Sequence, residues 1–174
     1  MKAVRGGMLL IVMLTVLPAC QREDAVEPLK LSGKVFIFNY RIAQATYVLT
    51  LARNGPLPDP SYVEARYENP AGGAALITRS QIFPFWDKIS LESPPVHCVV
   101  KGRPYAVSIR VTDGQNVTLQ EIETTLTSTL DQSLLPGKPL VIGPVYTPNP
   151  EVYNSEGEAD YAQEDCRTGA PANK

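Results

Sequence analysis

Strict alternation of apolar and polar side chains over residues 105–111 is the feature that most constrains this fold. Every second residue there is apolar and would lie on one face: Tyr105, Val107, Ile109 and Val111. Period-two alternation of this kind is typical of a strand with one buried face. The Asp113-Gly114 pair that follows is a strong hairpin signal. The sequence therefore predicts a core strand that pairs, through this turn, with a second strand beginning at Val117.

Similar short segments recur at intervals of roughly ten residues, with Pro, Gly and Asn between them. The 16 prolines oppose long helices, and no helical stripe appears after Leu31. Residues 34–40 are apolar on both faces and predict a central strand. The whole pattern predicts an all-β chain with an antiparallel β-sandwich of about eight short strands. The strands are expected near residues 34–40, 45–51, 62–67, 75–82, 86–91, 105–111, 117–130 and 140–142.

The return strand carries a slip in its apolar phase. Val117 and Leu119 set one phase, and Ile122 and Leu126 follow in the other, which predicts a β-bulge. The stretch 101–105, followed by alternating apolar residues, resembles the start of a late strand in fibronectin-type or immunoglobulin-like sandwiches. That resemblance implies the sandwich architecture, but Cys98 precedes the aromatic residue instead of following it by two, as it does in antibody domains. We therefore predict the architecture and not membership of that family.

The N-terminal segment predicts export. Lys2 and Arg5 precede an apolar run over residues 8–17, too short to cross about 30 Å of hydrocarbon as a helix. The sequence Leu17-Pro18-Ala19-Cys20 then resembles the bacterial lipobox, with Pro18 as a departure from the usual pattern. This resemblance implies cleavage before Cys20, acylation of that cysteine by groups such as palmitate, and anchoring to a membrane. In a Gram-negative host, the same resemblance and Gln21 in place of aspartate favour the periplasmic face of the outer membrane.

These features divide the chain into four expected parts. Residues 1–19 form the signal peptide, 20–30 a lipidated tether, 31–146 the β-sandwich domain, and 147–174 an acidic, mostly disordered tail. Without Lys2 and Arg5, 14 of the 16 basic residues remain against 18 acidic ones, a net charge near −4. This charge and the exported location argue against a nucleic-acid partner.

The cysteines and the single histidine offer little catalytic chemistry. Cys98 and Cys166 remain after lipidation of Cys20, and an even pair in an oxidising compartment predicts a disulfide, with two unpaired thiols as the alternative. His97 lies beside Cys98, but neighbours in a strand point to opposite faces, so a Cys-His nucleophile pair is not expected. One histidine and no Cys-x-x-Cys argue against a metal site. The sequence contains no Gly-x-Ser-x-Gly motif of serine hydrolases, and no Walker or dinucleotide-binding motif that would indicate a cofactor.

Phe83, Phe85 and Trp86 cluster around Pro84 just before a predicted strand. Aromatic residues are enriched at binding hot spots, so the cluster is a candidate contact patch. The alternative, which we favour, is that Trp86 and one phenylalanine fill the core of a small domain.

The sequence thus predicts a lipid-anchored envelope protein with a non-enzymatic binding or scaffolding role. Its expected partners are the membrane, through Cys20, and an envelope protein. Two other roles fit the same cellular location: an accessory lipoprotein of a secretion or outer-membrane assembly machine, and an envelope hydrolase or an inhibitor of one. No motif in the sequence decides between them.

Overall fold

A computed structural model describes residues 27–159, which contain nine strands and one short 3-10 helix. The signal peptide, Cys20 and Cys166 lie outside the described residues. The strands are β1 (Leu29–Asn39), β2 (Gln44–Arg53), β3 (Ser61–Tyr67), β4 (Leu76–Ile82), β5 (Lys88–Glu92), β6 (Pro104–Asp113), β7 (Thr118–Thr127), β8 (Val141–Ile142) and β9 (Thr147–Pro148). The 3-10 helix covers Gln132–Leu134.

Two antiparallel sheets form the sandwich that the alternation predicts. One has the order β1-β2-β5 and the other β4-β3-β6-β7, while β8 and β9 pair only with each other. In constant-type immunoglobulin domains the fourth strand joins the sheet of the first two. Here β4 pairs with β3 instead, along the full length Ser61–Tyr67. The all-β class and the sandwich architecture are therefore confirmed, with the fourth strand in the larger sheet.

The core lies between the two sheets and is filled by alternate residues of β2, β3 and β6. Val107 and Ile109 are each 1% exposed, as the alternation predicts. Three tyrosines meet at its centre, with ring centroids 5.3 Å apart for Tyr47 and Tyr67 and 6.3 Å for Tyr47 and Tyr105. Burial raises the pKa of Tyr47, so its hydroxyl remains a neutral donor, and it donates to the Glu68 carbonyl at 2.8 Å.

Tyr105 also fixes the loop that leads into its own strand. Its hydroxyl accepts a hydrogen bond from the Val100 backbone N–H at 2.7 Å, five residues upstream. A tyrosine near the start of a late strand that bonds back to the upstream backbone is a recurring device of immunoglobulin-like sandwiches. The resemblance noted at residues 101–105 therefore has a structural counterpart.

Strand β1 corrects one prediction. It is an edge strand, and β2 is the central strand of its sheet. Its second apolar face is exposed to solvent, with Val35 53% and Ile37 48% exposed. The strand also begins at Leu29, two residues before the expected domain start, and Leu29 is fully buried.

The bulge lies where the pattern put it, whereas the ordered fold continues beyond the expected domain boundary. Val111 pairs with Gln120 and Thr112 with Thr118, so Leu119 is the extra residue in β7. Beyond the expected domain boundary, β9 pairs with β8, and Asn149 and Val152 are buried. Part of the segment 147–159 is therefore held on the fold by hydrogen bonds and two buried side chains, although its composition predicted a mostly disordered tail.

Candidate functional site: an aromatic turn beside the N-terminal entry

The three predicted aromatic residues form one cluster in the turn between β4 and β5. We call residues 83–86 the aromatic turn. Ring centroids lie 5.7 Å apart for Phe83 and Phe85, 4.9 Å for Phe83 and Trp86, and 6.3 Å for Phe85 and Trp86. Stacked and edge-to-face contacts at these distances stabilise each other beyond simple burial. The aromatic turn is therefore a defined surface feature, not three independent side chains.

The exposure of the three rings differs. Phe85 is 77% exposed and Phe83 is 38% exposed, whereas Trp86 is half-buried and packs against the core. The expectation that a phenylalanine would join Trp86 in the core is therefore wrong. The core beneath the turn is already filled by Ile82 and Ile89, the last inward residue of β4 and the first of β5. The phenylalanines are left on the surface.

Hydrogen bonds hold the aromatic turn in shape. The Trp86 N–H donates to the Phe83 carbonyl at 3.1 Å and closes a β-turn. Arg53, the last residue of β2, binds this carbonyl and that of Trp86: its Nη2 donates to Phe83 O at 3.2 Å and its Nε to Trp86 O at 2.9 Å. The planar guanidinium matches this two-point arrangement. An exposed phenylalanine on a turn fixed at both ends presents a surface with little conformational entropy left to lose on binding.

Sequence reasoning missed Arg53, because its partners are some 30 residues away and its role is to bind backbone carbonyls. It also missed a second exposed apolar group at the opposite end of the sandwich. The β8–β9 hairpin carries Val145, which is 80% exposed, and the exposed Tyr146 and Ile142. The only local signal was Gly143-Pro144, which marks a turn without indicating what the turn displays.

The structure places His97 and Cys98 in a loop and not in a strand. Both follow the isolated bridge between Val96 and Ala45 and lie in a loop, so the strand geometry that we expected for them is wrong. His97 is exposed and Cys98 is half-buried, with a backbone φ of 65°. Since Cys166 lies outside the described residues, the disulfide stays a prediction.

Two shallow depressions open on the larger sheet and its edge. One lies among charged residues of β3, β6 and β7, where Arg110 Nη2 is 3.5 Å from Glu64 Oε1. The other borders the turn at residues 69–73, beside the ion pair between Arg103 Nη2 and Glu68 Oε1 at 2.6 Å. Among residues 27–159, no group of three or more His, Cys, Asp or Glu side chains is placed to hold a metal ion. The same residues contain no helix that is long and apolar enough to span a membrane.

Comparison with known proteins adds little about function. No family model matches the chain, and no curated protein matches it. Among solved structures, a calcium-binding mutant of Bacteroides uniformis beta-glucuronidase 2 is similar, with 13% sequence identity and a TM-score of 0.41. The match covers 59% of this chain and 13% of that chain.

Proposed function

We propose that this chain is a lipid-anchored envelope protein that works in the periplasm by binding and not by catalysis. The observation that carries the binding role is the aromatic turn. Its Phe85 ring is 77% exposed on a turn that Arg53 fixes through two carbonyls. Exposed, rigid aromatic groups are a common basis of recognition surfaces.

The lipid anchor in this proposal comes from the Leu17-Pro18-Ala19-Cys20 pattern. Two or more acyl chains on Cys20 would give stable membrane attachment, since each buried methylene contributes about 0.8 kcal/mol. The β-sandwich supports the same role, because its loops offer contact surfaces on a rigid scaffold.

Membrane fractionation tests the anchor. The unmodified chain should sediment with membranes after a high-salt wash, and Cys20→Ser should move it to the soluble periplasmic fraction. Ser108→Ala on the outer face of β6 is the control, because it leaves both Cys20 and the proposed disulfide intact. A Cys20→Ser protein that stays with the membrane would show that the anchor assignment is wrong.

Crosslinking in intact envelopes tests the binding role. A photoreactive amino acid at position 85 should give a defined crosslinked product, to lipid or to one protein. The same probe at Val145, which is 80% exposed at the opposite end of the sandwich, is the control. Absence of any product at position 85 above that control would contradict a binding role for the turn.

The predicted Cys98–Cys166 disulfide belongs to the same proposal. It would tie the C-terminal part of the chain to the loop that precedes β6. Peptide mapping without reductant should recover the two cysteines in one linked peptide. Recovery of both as free thiols from freshly prepared envelopes would exclude the bond.

A further inference from the structure

The aromatic turn and the entry of the chain into the fold lie at the same end of the sandwich. Leu29, the first residue of β1, is paired with Arg53 at the end of β2. The Arg53 N–H in turn donates to the carbonyl of Asp87, the residue after the aromatic turn, at 2.9 Å. Since neighbouring strands are about 4.8 Å apart, the turn ends about 10 Å from the point where the chain enters.

The entry point is fixed from two sides. The backbone N–H groups of Asn54 and Gly55 donate to the Pro28 carbonyl at 2.8 and 3.1 Å, and Asn54 Nδ2 donates to the Glu27 carbonyl at 3.0 Å. From the other sheet, the buried Gln120 amide accepts from the Leu29 N–H at 3.0 Å and donates to its carbonyl at 2.7 Å. The direction in which the N-terminal segment leaves is thus set relative to the aromatic turn.

We infer that the aromatic turn inserts into the interface of the same bilayer that anchors Cys20. The inference rests on the proposed lipid anchor. Cys20 is only seven residues before Glu27, and seven residues reach about 25 Å at full extension. That short reach keeps the entry end of the sandwich, and the aromatic turn with it, close to the headgroups.

The chemistry of the aromatic turn suits an interface between water and hydrocarbon. Tryptophan is enriched there because its ring is apolar and its N–H is polar. The carbonyls of Phe83 and Trp86 are already bonded by Arg53, so insertion leaves neither of them without a partner. Asp87 and Lys88 follow with opposite charges, so the contact does not depend on anionic lipid.

Trp86 provides a direct measurement, because it is the single tryptophan of the chain. The full chain, purified from the membrane fraction, is reconstituted into phosphatidylethanolamine–phosphatidylglycerol vesicles with or without brominated acyl chains. Trp86 fluorescence should be quenched by the brominated lipid and shifted to shorter wavelength relative to the unacylated Cys20→Ser protein in buffer. Phe85→Ser should lose most of the quenching while the protein still sediments with the vesicles.

Val145→Ser is the matched control, because it removes an equally exposed apolar side chain from the opposite end and should leave the quenching unchanged. Protein that does not sediment with the vesicles would overturn the lipid anchor, and with it the proposed function. Anchored protein whose Trp86 is not quenched would overturn only the membrane contact. If the turn binds a protein partner in the envelope and not lipid, the vesicles, which contain no other protein, should also show anchored protein without quenching of Trp86.

Discussion

The two ends of this sandwich are built differently. At the entry end, three short connections join the strands: residues 54–60, 83–87 and 114–117. The first and the third pack closely on each other, since a side chain in place of Gly114 would come within 2.9 Å of the Pro60 ring. At the far end, two long segments cover the core: residues 93–103, and residues 128–159 with the 3-10 helix and the β8–β9 hairpin. Leu135 of the second segment packs into the core. The entry end is therefore a compact platform, whereas the far end is a cover assembled from distant parts of the chain.

Two buried glutamines show the difference in detail. Gln120, near the entry end, uses both atoms of its amide on the backbone of Leu29. Gln132, at the far end, is also buried, but its Oε1 lacks a hydrogen-bond partner among the described residues. A buried polar atom without a partner costs about 1–3 kcal/mol. The entry end thus has its buried amide fully bonded, and the far end does not.

The largest expected effect tests whether the two ends share one core. Ile109→Ala should lower the free energy of unfolding by about 2–5 kcal/mol, because it removes a buried side chain of β6 and leaves a cavity. Ser108→Ala, which changes the outer face of the same strand, should cost no more than about 0.5 kcal/mol. Urea titrations followed by Trp86 fluorescence measure both variants.

The same titrations can be followed at the far end by hydrogen exchange of the Val96 amide, which donates to the Ala45 carbonyl at 2.8 Å. The two probes should give one midpoint. Separate midpoints would mean that the far end unfolds on its own, and equal effects of Ile109→Ala and Ser108→Ala would contradict the one-sided burial of β6.

The two glutamines provide the next test. Gln120→Leu should destabilise the fold by about 1–3 kcal/mol, because the buried N–H and carbonyl of Leu29 lose their partners. Gln132→Leu should cost less than about 1 kcal/mol or stabilise the fold, because it removes an oxygen that is already unbonded. Thermal unfolding of the two variants side by side measures the difference, and equal losses would contradict the contrast between the ends.

The smallest expected effect concerns pH at the far end. The Ser133 N–H donates to the Asp131 carboxylate at 3.1 Å. Hydrogen bonds from the backbone and the side chain of Ser133 lower the pKa of Asp131. A carboxyl whose pKa is lower in the folded state stabilises the fold above its unfolded value, near 3.9, and this contribution disappears as the pH falls through the folded value. Asp131→Asn should therefore show a shallower loss of stability than the parent chain between about pH 5 and pH 3.

Urea midpoints at several pH values measure this difference, with Trp86 fluorescence as the readout. The two proteins should differ most at neutral pH and converge in acid. Parallel curves for parent and variant across the whole range would show that the Asp131 carboxylate does not stabilise the folded state.

Alternation predicts buried strands well and surfaces poorly. It placed β3 and β6 correctly because one face of each is covered and the other is polar, as for Val63 and Glu64. It misplaced β1, because Val35 and Ile37 are apolar but face solvent on an edge strand. Periodicity records which side chains are apolar and does not show whether a second layer covers them.

The candidate site was predictable only in part. Three aromatic residues around a proline are visible in the sequence, but their exposure depends on how Ile82 and Ile89 fill the space below. The Arg53 cap and the Gln120 amide were not predictable, since their partners lie 30 to 91 residues away. Both bind backbone N–H or carbonyl groups, which nearly every residue has, so the sequence does not identify the partners.

The Gln120 amide also determines how the protein would bear a mechanical load. A pull on the N-terminal segment acts on Leu29, and β1 is held to β2 by a ladder that can open one residue at a time from that end. Because Gln120 ties Leu29 to the opposite sheet, peeling of β1 must also break two buried hydrogen bonds. The force is then shared between both sheets. A domain that is tethered by its first strand would therefore resist unzipping where tension is applied.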